Sequence, residues 1–271
     1  MAGPLISFLS DFGGESAPAV CRGVLWSICP EARILDLNHN VRKYAVRDGA
    51  FLLSRAMPYL PVGVHLAVVD PGVGTRRRPV AVRAARGDLF VGPDNGLLQP
   101  AVRALGGIAE ARELMERNLF LPEVSSTFHG RDVFAPVAAH LASGVPLEQV
   151  GPALDPAELV DLRFHEAIVS DGGLDTAVLY IDSFGNARLG GQPTDLEAVG
   201  GPLVEGRRYR VVIRGAAIVV PWHATFGGVP PGDPLLYEDA DYGGLGLATN
   251  QASAAERFGL DLDMPVRIEP V

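Results

Sequence analysis

Cysteine is nearly absent from this 271-residue chain. The two present, Cys21 and Cys29, lie eight apart in one helical pattern, a rise of about 12 Å and too far for a disulfide within that helix. A disulfide scaffold is not expected, and both read as small buried apolar residues. Long hydrophobic runs are also missing: none approaches the roughly 20 residues that span a bilayer. The first ten residues lack the basic start and cleavage pattern of a secretory signal, so the cytoplasm is the default compartment. Positive charge is in deficit, with a formal net charge of −9. That is the wrong sign for neutralising phosphates along a nucleic acid, so neither a nucleic-acid nor a membrane partner is expected. No internal repeat or low-complexity segment occurs. There is no Gly-x-Ser-x-Gly elbow and no closely spaced His/Cys ligand set, so neither a covalent serine nor a metal is expected. The triplet Asp11-Phe12-Gly13 has no accompanying kinase catalytic loop.

What is present is enough for a sizeable core. The chain is 48% hydrophobic and 20% charged, which suits one large or two modest domains. Strand and helix patterns alternate through residues 5–10, 17–28, 33–37, 46–59 and 64–69, the signature of β-α-β units. From His165 onward, short β-rich runs at 177–181, 209–213, 217–220, 235–237, 245–248 and 266–268 are separated by glycine and proline, which reads as an antiparallel barrel or sandwich. The expected architecture is an α/β N-terminal domain, residues 1–160, with a mostly parallel central sheet, followed by a smaller all-β, barrel-like domain over 161–271.

Two polar clusters stand out against this frame. Ser126-Thr127-Phe128-His129-Gly130-Arg131-Asp132 precedes an apolar helix expected over 133–142, and Asp70-Pro71-Gly72-Val73-Gly74-Thr75-Arg76-Arg77 follows the apolar run 64–69. Polar groups are costly to bury unpaired, so the two segments together read as a site. Each residue also has a plain structural role available: Asp70 as a turn cap, Arg77 as part of a solvated charge run, His129 as a satisfied core histidine. Asp11 follows the first strand and Asp70 the third, so in a parallel arrangement both would leave the same sheet edge, where functional loops gather.

The order of motifs changes those odds. Asp70 through Thr75 with Arg77, Gly92-Pro93-Asp94-Asn95-Gly96-Leu97-Leu98, Phe128 through Asp132, and Ile181-Asp182-Ser183-Phe184-Gly185-Asn186 together resemble the S-adenosyl-L-methionine (SAM) hydroxide adenosyltransferases, relatives of fluorinase and chlorinase. The resemblance covers essentially the whole chain. It implies hydrolysis of SAM to adenosine and methionine by water-derived oxygen attacking ribose C5′, with Asp70, Arg77 and His129 as the water-binding set and no cofactor. Arginine only donates hydrogen bonds; beside Asp70 it would orient the carboxylate and weaken it as a base. The resemblance further implies Asp11 as ligand of the ribose hydroxyls, Tyr44 beside the ligand, Asp182 at the methionine ammonium, and Phe184 and Asn186 at adenine. Phe226 and Asn250 complete that pocket, with Glu15 as a candidate on the methionine side. A homotrimer with sites at subunit interfaces is the implied assembly. Two rivals are weighed. A halide adenosyltransferase would carry tyrosine at the position of Asp70, where a carboxylate repels a desolvated halide; a non-catalytic SAM-binding protein would not need a water-orienting set.

Overall fold

The computed structural model describes residues 3–240 and 243–271. They form two compact units, Met1–Arg163 and Phe164–Val271. The first contains β1 (Leu5–Ser10), α1 (Ala17–Ile28), β2 (Arg33–Asn38), α2 (Val46–Ala56), β3 (Val64–Val68), β4 (Pro79–Ala84), β5 (Leu89–Pro93), α3 (Gln99–Ala104), β6 (Ile108–Glu113), α4 (Ala135–Ala142) and β7 (Ala153–Leu154). Every residue of β1 is buried because helices cover both faces. Helices α1 and α4 pack with Ile6, Phe8, Leu66 and Val68, whereas Leu9, Val69 and Leu97 meet around Gly49 of α2. Each large apolar side chain buried this way contributes about 1.5–3 kcal/mol.

The sheet runs β2-β1-β3-β5-β4-β6-β7. Strand β1 pairs in parallel with β2 and β3, and β3 with β5; the neighbours β5–β4, β4–β6 and β6–β7 are antiparallel. The expectation of a mostly parallel sheet is therefore corrected to a mixed one. Its cause is the β4–β5 hairpin, turned at Arg86-Gly87-Asp88, where Gly87 N–H donates to Ala84 O and Ala84 N–H to Asp88 O. Such a turn joins antiparallel neighbours without a crossover helix. Strands β1 and β3 pair Ser10 with Val68, so Asp11 and Asp70 do leave the sheet at one edge.

The second unit is an antiparallel sheet of β8 (Ile168–Ser170), β9 (Gly173–Ile181), β10 (Ala187–Leu189), β11 (Arg208–Ile213), β12 (Ala216–Pro221), β13 (Pro234–Glu238), β14 (Leu245–Thr249) and β15 (Pro265–Pro270). Its order is β12-β11-β15-β9-β10-β14-β13, with β8 against β9. A bridge between Trp222 and Leu236 brings the two ends together, which nearly closes a barrel around Leu174, Val178, Tyr209, Val211, Leu236 and Ile268. Two short helices not expected from the sequence, α5 (Pro193–Gly200) and α6 (Ala254–Phe258), lie in this unit. Cys21 and Cys29 are buried free thiols, and burial pushes the Cys21 thiol up to about 12, which makes it a poor nucleophile. Among the described residues no helix is long and apolar enough to cross a membrane.

Candidate active site

The loop after β3 turns on glycine. Gly74 has φ +74°, and a Cβ there would sit 2.3 Å from the carbonyl oxygen of Ser126; only glycine lets this loop press against the segment that carries His129. That segment is organised by its own motif. The Asp132 carboxylate, fully buried, accepts from Arg131 Nε at 2.6 Å and from the backbone N–H of Ser125 at 2.9 Å, while Ser125 Oγ accepts from Phe128 N–H. The N–H groups of Arg131 and Asp132 both donate to Phe128 O, and Ala135 N–H reaches back five residues to Gly130 O. The helix expected over 133–142 thus begins with a π-type turn, Gly130–Phe134, a widening often found at functional positions. Gly130 faces Phe12: a Cβ there would meet the Phe12 ring at 2.7 Å.

These loops assemble Asp70, Arg77 and His129. Arg77 Nε donates to Asp70 Oδ1 at 3.0 Å and its NH2 group donates to Asp70 Oδ2, a bidentate pair whose side chains are only 7% and 6% exposed. The same NH2 group donates to His129 Nδ1 at 3.3 Å, and the guanidinium lies over the Phe134 ring, 5.2 Å from its centre. Arg77 NH1 is buried with no partner among the described residues, a donor left for an oxygen from outside the protein. Burial, and then the Arg77 charge, hold the His129 imidazole below its ordinary value. Because arginine must donate, Nδ1 of neutral His129 is an acceptor and its proton sits on Nε2.

Asp11 and Tyr44 form a second contact on the same unit. Tyr44 has φ +66°, a left-handed conformation costing about 1–3 kcal/mol in a residue other than glycine. Its N–H donates to Asp11 Oδ2 at 2.9 Å, and its ring is 72% exposed, free to lie against a ligand. Phe12 ties this corner to the His129 turn through edge-to-face contact with Phe128 at 5.6 Å. Glu15 is exposed.

On the second unit, Phe184, Asn186, Phe226 and Asn250 line one cleft of about 490 Å³ together with Thr249, Gln251, Ala252 and Ser253. Asp182 does not line it. Its carboxylate accepts four N–H donors: the backbones of Phe184 and Asn186, Asn186 Nδ2 and Arg188 NH2. It shapes the turn that presents Phe184 and Asn186, and a ligand ammonium would compete with Arg188 for it. With one Nδ2 proton given to Asp182, Asn186 keeps its Oδ1 acceptor and its second Nδ2 proton for the cleft. Asn250 Nδ2 donates to Val229 O at 2.7 Å, clasping the cleft wall. Sequence reasoning missed Arg188, buried between Asp182 and Asp239; a lone arginine in an apolar strand was the available signal. It also missed Ser10 and His39. Among the described residues no cluster of three or more His, Cys, Asp or Glu is arranged to hold a metal ion.

Comparison with known proteins agrees with this architecture. Residues 6–151 match the family model of the SAM hydroxide adenosyltransferase N-terminal domain and residues 176–267 that of the C-terminal domain. An (R)-S-adenosyl-L-methionine hydrolase of Salinispora tropica is 46% identical, with 95% of this chain and 94% of the relative covered. A fluorinase of Actinoplanes sp. is 32% identical over 98% of this chain and 97% of its own. A crystal structure of an uncharacterized conserved protein from Thermotoga maritima superposes with a TM-score of 0.88 at 33% identity, covering 97% of this chain and 99% of that one. The chain belongs to the SAM hydroxide adenosyltransferase family.

Proposed function

We propose that this protein is a SAM hydrolase, converting SAM and water into adenosine, L-methionine and a proton. The observation that carries the reading is the buried Asp70–Arg77 pair bonded to the half-buried His129 in a chain of this family. A sulfonium is already a good leaving group and departs as a neutral thioether, so the protein's task is to hold water in line with C5′ and accept the proton it sheds. Arg77 orients Asp70 and His129 and supplies a further donor from NH1. His129 donates from Nε2–H, which orients the water oxygen. Asp70, the one anion of the set, keeps lone pairs free beyond its two bonds to Arg77 and takes the proton. No metal or cofactor is required for this step.

Asp11 accepts the ribose hydroxyls with Tyr44 against the sugar. Phe184 and Phe226 flank the adenine, and the Asn186 Oδ1 acceptor suits its exocyclic amine. Asp182 sets this turn, and Asn250 holds the wall. In this reading the N-terminal domain, residues 1–160, activates water and the domain over 161–271 binds adenine. The active unit is a cytoplasmic homotrimer whose subunit interfaces join the two sets; sedimentation of the active species as a monomer would refute the assembly. A carboxylate at position 70 disfavours the halide-transferring rival.

The test is chromatography of SAM incubated with purified protein in chelator-treated buffer. Adenosine and methionine should appear together. Methylthioadenosine, S-adenosylhomocysteine, or unaltered SAM would overturn the proposal.

A further inference from the structure

Two serine–histidine–aspartate rows run through the first unit. In one, Ser7 Oγ lies 2.7 Å from His65 Nδ1 and His65 Nε2 lies 2.9 Å from Asp88 Oδ1; in the other, Ser10 Oγ lies 2.8 Å from His39 Nδ1 and His39 Nε2 lies 3.0 Å from Asp36 Oδ1. Both are wired the reverse of a nucleophilic triad, in which serine meets Nε2 and aspartate Nδ1. Ser7 and Ser10 are, moreover, fully buried. These rows are braces, and the second ends beside Asp11.

The direction of each bond in that second row follows from its far end. Burial pushes the Asp36 carboxyl up, but hydrogen bonds from His39 and Arg22 outweigh it and hold the group below the usual carboxylate range. The ionised carboxylate accepts, so neutral His39 carries its one proton on Nε2 and Nδ1 is left as an acceptor. Ser10 must then donate its hydroxyl proton to Nδ1. That leaves a lone pair on Ser10 Oγ, which accepts Phe12 N–H at 3.3 Å. The His39 carbonyl accepts Gly13 N–H at 2.6 Å, and the imidazole packs edge-on to Phe8 with centroids 4.6 Å apart. The residues on both sides of Asp11 are thereby tied to one histidine. Asp11 Oδ2 is held by Tyr44 N–H, and Oδ1 accepts no hydrogen bond from the described residues.

We propose that Ser10 and His39 are positioning residues that aim the Asp11 carboxylate at the ribose hydroxyls, an inference that rests on the reading of Asp11 as the ribose ligand. The row is built to orient: its one buried hydroxyl spans the backbone on one side of Asp11 and the imidazole, and its aspartate end fixes the tautomer that makes this possible. Neither residue touches the substrate.

Calorimetry with adenosine, 2′-deoxyadenosine and adenine tests it on the full-length protein, Asp11→Asn, His39→Ala and Ser10→Ala. The parent should prefer adenosine to 2′-deoxyadenosine by about tenfold or more, the value of a hydrogen bond to a charged acceptor. Ser10→Ala and His39→Ala should each bring that ratio to within about threefold while leaving adenine affinity unchanged; a merely structural role would weaken all three ligands alike. Ser10→Ala, the smaller change, carries the test if His39→Ala does not fold. If Asp11→Asn abolishes the preference but both positioning variants keep it, the positioning role is wrong and the ribose role of Asp11 stands. If the parent shows no preference, both readings fall.

Discussion

Replacing Arg77 by methionine removes the cation from a carboxylate that is almost sealed from water. The two Asp70 bonds, the bond to His129 and the stacking on Phe134 go together, while the methionine keeps much of the side-chain volume. With exposures of 7% and 6% the pair is in the buried class, where removing one partner costs about 3–5 kcal/mol, against about 0–1 kcal/mol for a surface pair. Against a total stability of roughly 5–15 kcal/mol this is a large share. Asp70→Asn in the same chain removes the stranded charge, so the double variant should recover part of the loss, with a coupling of about 1–3 kcal/mol. Urea denaturation followed by circular dichroism, on the parent, both single variants and the double, measures all the terms. A loss below about 1 kcal/mol for Arg77→Met, or strict additivity in the cycle, would refute the view that burial makes this pair structurally decisive. Turnover by Arg77→Met, measured on folded protein, should drop about 10²–10³-fold, the usual loss for a preorganised electrostatic donor.

The His129 imidazole is held below its ordinary value of 6.5, by burial first and Arg77 second. Its neutral form is the one in which Nδ1 can accept from Arg77, so turnover should be flat at neutral pH and fall only as pH drops below 6.5; an acid limb above pH 7 would show that His129 is not the group titrating. Gly130→Ser places a Cβ 2.7 Å from the Phe12 ring. A destabilisation of about 1–3 kcal/mol is expected, partly relieved by Phe12→Leu in thermal melts, and an unchanged melting temperature would mean the ring moves freely.

How much of this was legible beforehand differs between elements. Residues 5–10 and 17–28 announced β1 and α1, the one a continuous apolar run buried throughout and the other a helix that buries Cys21 and Leu25 on one face, whereas β2 over 33–37, which has no buried residue, was legible from its place in the β-α-β alternation. The β-rich runs of the second half stood out in the way β1 did. The hairpin of β4 and β5 went unnoticed, and with it the mixed character of the sheet, because strand direction depends on which partner a strand finds and not on its own composition. Of the candidate site, motif order within a resembling family pointed to Asp70, Arg77 and His129, whose types alone fit several plain roles.

Residue chemistry and local spacing alone determined that Arg77 could only donate, that Asp11 and Asp70 would end strands, and that Phe184 and Asn186 would share a turn. Tertiary structure decided the rest. Gly74 meets Ser126 across 52 positions, and His39 braces Ser10 across 29, contacts that no short window of sequence contains. Hydrogen-bond direction and burial then assigned Nε2 as the protonated nitrogen of His129 and committed Asp182 to its own turn. Those outcomes depend on partners that only the folded chain brings within about 3 Å, where donor and acceptor roles become mutually exclusive.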